Sequence, residues 1–99
     1  MTATWPYKDP DEVLDYYVNW LGTADEPGPL YNIGDLIVSS TWEVPTGIVK
    51  DSDTFAPTGL VTIWLSGGTI GETYFFVNHI TTQGGREFDK TVKIRVKVR

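Results

Sequence analysis

The sequence predicts an all-β fold, an immunoglobulin-like antiparallel β-sandwich of about seven strands. Three observations carry this. A strict two-residue alternation of apolar and charged side chains runs through the C-terminus, turn signals rich in Gly and Pro separate short β-branched and aromatic runs, and no segment shows sustained helical periodicity. The 99 residues make one domain over 1–99, a size at which folding buries roughly two thirds of the unfolded chain's surface.

Taken in chain order, residues 1–10 ("MTATWPYKDP") read as an extended, Pro-restricted arm that no strand pattern claims. "DPDEVLDY" carries the marks of a helix start, with Asp9 as cap, Pro10 at the first helical position and Glu12 completing a capping box. Leu14, Tyr16, Val18 and Trp20 then fall on one strand face. The reading is therefore a single turn at Pro10–Glu12 leading into a strand. Residues 22–34 are rich in Gly and Pro and read as a surface loop. "LIVSSTWEV" (Leu36 to Val44) is the next strand, with Val38, Trp42 and Val44 aligned, stopping at Pro45. "GIVKDSDTF" reads as a short strand running into a polar turn that ends near Pro57-Thr58-Gly59.

"LVTIWLS" (Leu60 to Ser66) places Val61, Ile63 and Leu65 on one face and Trp64 on the other. Thr73 to Thr82 is aromatic and β-branched, and Gln83-Gly84-Gly85 supplies a turn into "FDKTVKIRVKVR". In that last run Phe88, Lys90, Val92, Ile94, Val96 and Val98 alternate with Asp89, Thr91, Lys93, Arg95, Lys97 and Arg99. A period of two over twelve residues is a strand with one buried face. The glycine-rich stretch "SGGTIGETYFF" lies where the chain crosses between sheets, and Tyr74 is placed to pin that corner through its hydroxyl.

The same stretch is a poor phosphate cradle, because a strand rather than a helix follows it and no lysine is near. His79 stands alone as the sole histidine, too few for a typical catalytic zinc site, and no serine is singled out as its nucleophile. Asp51 and Asp53 form a D-x-D pattern without the glycine and distal glutamate of a calcium loop. No carboxylate pair is selected for glycosidase chemistry. The chain is read as a non-enzyme with no catalytic, metal or cofactor-binding residues and no cofactor.

With no cysteine the chain has neither disulfides nor thiolate metal sites. No secretory signal is visible and no apolar run approaches the roughly 20 residues of a membrane span, so the expectation is a soluble protein without a membrane partner. Charge is unevenly spread: residues 1–53 carry ten acidic and two basic side chains, residues 86–99 six basic and two acidic. The overall acidity argues against nucleic acid as a partner. The basic residues are expected on the solvent side of an edge strand, discouraging edge-to-edge pairing and meeting the acidic part of the domain.

The candidate partner-binding residues are aromatic or apolar. Trp64, Phe75 and Val77 are expected to point outward as an exposed patch, and Trp5, Pro6 and Tyr7 form an arm that docks on a neighbour or packs on its own domain. Exposed aromatics also suit stacking on sugars, so a carbohydrate- or surface-binding module is the alternative reading.

Four segments in order, "KDPDEVLDYYVNWL" (Lys8 to Leu21), "IVSSTWEVPTGI" (Ile37 to Ile48), "VTIWLSGGTIGETY" (Val61 to Tyr74) and "NHITTQGGRE" (Asn78 to Glu87), resemble small phage and prophage virion proteins of the fiber-tail adaptor type. The resemblance spans about residues 8 to 96. The loop at 22–34 is longer than the family's pattern suggests. What the resemblance implies is a structural protein made in the bacterial cytoplasm and built into the virion near the tail or its fibers. Its partners would be other virion proteins, and self-association as a homo-oligomer is compatible with it. It transfers no catalytic residues.

Overall fold

Alternation along each strand resolves into two sheets facing one another across an apolar core. The computed structural model describes residues 2–98, so Met1 of the expected arm and Arg99 of the final alternation lie outside the described residues. The strands are β1 (Thr2–Thr4), β2 (Leu14–Asn19), β3 (Ile37–Glu43), β4 (Ile48–Phe55), β5 (Leu60–Gly67), β6 (Thr73–Thr82) and β7 (Glu87–Arg95). One sheet runs β1-β7-β6-β3 and the other β2-β5-β4. Every pairing is antiparallel except that of β1 with β7, which is parallel.

The inward faces match the period-two reading closely. Val61, Ile63 and Leu65 of β5, Phe76 and Ile80 of β6, and Val92, Ile94 and the following Val96 are all fully buried. Each such side chain contributes about 1.5–3 kcal/mol by leaving water. Tyr16 and Val18 of β2, with the following Trp20, extend the β5 wall of the core. The turn at Pro10 closes as expected: the Glu12 amide donates to the Asp9 carbonyl (3.0 Å) and the Asp9 amide to Glu12 Oε1 (2.8 Å), yet no helix follows. Apolar spacing at 14, 16, 18 and 20 outweighs the capping signal.

The corner between β5 and β6 also forms as read. Tyr74 is buried, and its hydroxyl accepts a hydrogen bond from the Thr69 amide at 2.9 Å. Gly68 sits at φ 97°, and a Cβ there would come within 2.7 Å of Val96 Cγ2. Neither the conformation nor the space admits a larger residue.

Four expectations need correction. Val38 is not aligned with Trp42. A register shift between Ile37 and Ser39 turns Ile37 into the core and leaves Val38 exposed. The polar "KDSDT" does not end its strand, since β4 continues to Phe55 across a second shift between Lys50 and Ser52. The loop at 22–34 lies mostly on the surface but sends Leu30 into the core, its amide donating to the Trp20 carbonyl at 3.1 Å.

Finally, β7 is not an edge strand, and its pairing with β1 departs from the all-antiparallel expectation. The arm runs beside it in parallel: the Trp5 amide donates to the Lys93 carbonyl (2.9 Å), the Lys8 amide to the Arg95 carbonyl (3.1 Å) and the Lys97 amide to the Lys8 carbonyl (2.9 Å).

One buried polar residue ties the two sheets. Asn78 of β6 accepts from Trp20 Nε1 at 2.8 Å and donates through Nδ2 to Ser40 Oγ and the Thr41 carbonyl, both at 3.0 Å. Substituting Asn78→Ala strands the buried Trp20 indole donor and removes the side-chain donor to the Thr41 carbonyl. The expected loss is about 2–3 kcal/mol of unfolding free energy, read from urea or guanidinium titration.

Candidate interaction surfaces

Because side chains alternate across a pleated strand, the residues opposite the core face solvent in two separate sets. On β5, Trp64 points away from the core with 41 % of its surface exposed. It lies opposite Asp15 of β2 on one side and Ser52 of β4 on the other, with exposed Tyr17 on the diagonal. On β6, Phe75 is 54 % exposed opposite Lys93, and half-buried Val77 sits between Glu43 and Thr91. Strands β5 and β6 belong to different sheets. Trp64 therefore lies on one outer face and Phe75 with Val77 on the other. The single patch expected from sequence is two patches on opposite sides.

The arm residues divide as well. Trp5 packs into the mouth of the sandwich, stacked on Tyr16 with ring centroids 4.9 Å apart and tilted against Trp42 and Phe76 at 5.9 Å each. Its Nε1 donates to the Tyr17 carbonyl at 3.2 Å. Pro6 and Tyr7 stay on the surface, and Lys97 Nζ lies 4.3 Å from the centre of the Tyr7 ring. Lys8 then turns inward and is fully buried, its Nζ donating to the carbonyls of Asp9 (2.9 Å) and Gly67 (2.8 Å). Burial lowers the Lys8 pKa, opposed by the carboxylates of Glu12, Asp9, Asp11 and Asp51.

Two charged clusters decorate the β6–β7 hairpin. His79 contacts Asp89 through Nδ1 and lies 3.2 Å from Glu87 Oε1 through Nε2. The hydrogen bond to Asp89 raises its pKa above 6.5, against the opposing effect of burial. Asp35 anchors the hairpin turn by accepting from the Gly84 amide (2.9 Å) and from Arg86 (2.8 Å). The Thr82 hydroxyl, foremost, and these donors hold its carboxyl down at about 2. Arg86 thus meets the acidic half of the chain as expected, whereas Lys90 and Lys93 form no ion pair among the described residues. Asp51 accepts from Ser66 Oγ at 3.1 Å and Asp53 pairs with Lys50, so the D-x-D pair is used locally on β4.

Residues 8–95 match the family described as podophage GP4 fiber-tail adaptor protein gp77. The chain belongs to this family. No curated protein matches the chain at a significant level. The family match covers β2 to β7 and both outer aromatic patches, and it begins just after Trp5, Pro6 and Tyr7. In this adaptor-family chain the position of Tyr17 beside Trp64 went unread in the sequence, since only the β2–β5 register brings them together. The His79–Asp89 pair was readable, because a Gln83-Gly84-Gly85 turn sets those two residues opposite each other.

Two outcomes follow. Trp5→Ala removes an aromatic plug and an edge hydrogen bond and costs about 2–4 kcal/mol in denaturant titration, whereas Tyr7→Ala stays within about 0.5 kcal/mol. For Asp35 the folded pKa is depressed, so its stabilisation is present above the unfolded value near 3.8 and is lost as pH falls toward about 2. Wild type loses stability across that window in acid melts, and Asp35→Asn flattens the decline.

Proposed function

We propose that this chain is a non-enzymatic, immunoglobulin-like adaptor subunit of a phage or prophage virion. In this reading it is made in the bacterial cytoplasm, carries no nucleic-acid-binding role, and joins tail or fiber components through side chains on its outer faces. The family match over residues 8–95 carries this reading. The immunoglobulin-like assignment is supported by the strand order β2-β5-β4 against β7-β6-β3 and by Tyr74 at the entry to β6.

The outward residues suit protein contact. Trp64 with Tyr17 and Asp15 gives one face an aromatic centre rimmed by charge, and Phe75 with Val77 gives the opposite face a smaller apolar centre between Lys93 and Glu43. Aromatic residues ringed by polar ones are the composition of binding hot spots. Two such centres on opposite faces allow one subunit to touch two neighbours at once, which is what joining fiber to tail requires.

Trp64→Ala and Phe75→Ala test this separately. Each is expected to leave thermal unfolding within about 2–4 °C of wild type while lowering incorporation into particles by about tenfold, measured by quantitative mass spectrometry of purified virions. Normal incorporation of both variants refutes these faces as the contacts. Binding of the isolated protein to a glycan array, lost in Trp64→Ala, would favour the carbohydrate-binding alternative instead.

A further inference from the structure

Four strand edges end the two sheets, and three of them are blunted. β1 is three residues long, β3 carries the register shift at Val38, and β4 carries the shift at Asp51 together with the Lys50–Asp53 pair. Short length, bulges and charge are the usual means by which edges avoid pairing with another chain. β2 is neither short nor bulged, and its one charge, Asp15, lies on the outer face opposite Trp64. Its six residues keep an unbroken register with β5 from Leu14 to Asn19, without proline, lysine or bulge. Its other edge has no strand partner among the described residues.

The backbone on that edge is oriented for pairing. The Tyr17 carbonyl points away from β5, because the Trp5 indole reaches it from outside the sheet. In an antiparallel strand the amide and carbonyl of one residue point the same way and alternate residue by residue. Asp15, Tyr17 and Asn19 therefore present their peptide groups outward. The Trp5 indole already stands in for one hydrogen bond of a missing neighbour.

Beside this edge lies a groove of about 570 Å³ walled by Trp5, Leu14 and Val92, with Lys90 also lining it. A second hollow continues it past Tyr17 and Asn19 to the loop at Pro27, again lined by Lys90. Among the described residues the arm pairs with β7 from Thr91 onward, and Lys90 lines both hollows. Lys90 shares the inward parity of Val92 and Ile94 and forms no ion pair among the described residues.

The carboxylates lining these hollows are placed elsewhere: Asp15 lies on the outer face opposite Trp64, Asp89 is held by His79, and Glu26 sits on the loop. A strand laid along β2 would turn alternate side chains inward over Trp5 and Val92, with one of them next to the Lys90 ammonium. That geometry selects apolar residues at inward positions and a carboxylate at the one facing Lys90.

We propose that the free edge of β2 receives an extended segment of another tail or fiber protein by strand addition, with an inward acidic residue of that segment paired to Lys90. This rests on the virion-adaptor reading and names the kind of partner segment it takes.

The test uses whole particles produced by the encoding phage. Backbone hydrogen exchange is compared between the chain in particles and the free chain, and a carbodiimide is used to couple lysines to neighbouring carboxylates before mass spectrometry. Slowing of exchange by about tenfold at Asp15, Tyr17 and Asn19, together with a Lys90 link to an Asp or Glu of a tail or fiber chain, is the expected result. Lys90→Glu is expected to abolish that link and return exchange at the three amides to the free-chain rate, with an unchanged melting curve for the isolated protein. Equal exchange in particles and free chain overturns the proposal, as does a Lys90 link to a second copy of this chain or no link to any carboxylate. Absence of the chain from particles refutes the virion reading itself, and this proposal with it, an outcome distinct from particles that contain the chain with an unprotected β2.

Discussion

Strand β6 is the element on which the rest of the sandwich depends, and Asn78 at its middle is the reason the two sheets hold one alignment. β6 pairs with β3 and β7, so it sets the register of its own sheet. Through Asn78 it also reaches Trp20 at the end of β2, in the opposite sheet. Apolar packing between Phe76, Ile80 and the β5 side chains supplies most of the driving force, but that force is non-directional and tolerates sliding. A buried amide with its donors and acceptor satisfied does not. Shifting β6 by two residues would leave the buried Asn78 amide and Trp20 Nε1 without each other as partners in the core.

The N-terminal arm solves a different problem. Without it, β7 would expose a long edge beside the mouth of the core. The arm adds a parallel partner to β7 from Thr91 to Lys97, inserts Trp5 between the sheets, and ends at Lys8, whose buried ammonium finds two carbonyl oxygens. A buried cation is tolerated here because carbonyl oxygens replace part of its lost hydration and carboxylates lie close by. Among the described residues the arm meets β2 only through Trp5, stacked on Tyr16 and bonded to the Tyr17 carbonyl, and through Pro6, and the outer edge of β2 has no strand partner. The molecule thus has one closed flank and one open one.

This division suits a subunit of a larger assembly. Stability lies inside, in strands whose inward residues are apolar and in the Asn78 and Tyr74 hydrogen bonds. The outer faces carry Trp64 on one side and Phe75 with Val77 on the other, and neither set is needed to fill the core. Core packing and outward aromatic side chains thus fall on alternate residues of the same strands.

Local periodicity was enough to establish the spans of β5 and β6, the inward triad Val61, Ile63 and Leu65, the Gln83-Gly84-Gly85 turn and the Tyr74 corner. Each depends on residues near one another in sequence, where side-chain alternation and glycine's freedom act directly. By contrast, β7 ends at Arg95, short of the full alternation, and Val98 is exposed rather than inward. Other features depend on which strand lies beside which, and only tertiary pairing decides that. The shift at Val38 exists because β3 must meet β6 in register, so alternation counted along β3 alone misplaces it by one residue. Trp5 lacks a strand pattern of its own and becomes ordered because β7 and Tyr16 offer it an edge and a ring. Trp64 and Phe75 read as one surface when strands are counted in order, yet they lie on opposite faces because the chain changes sheets at Gly68. The sequence by itself therefore determined which side of each strand is oily, since that is a property of neighbours along the chain. The tertiary structure alone decided which outward residues share a face and which edge stays open, since those follow from free energies between segments distant in sequence.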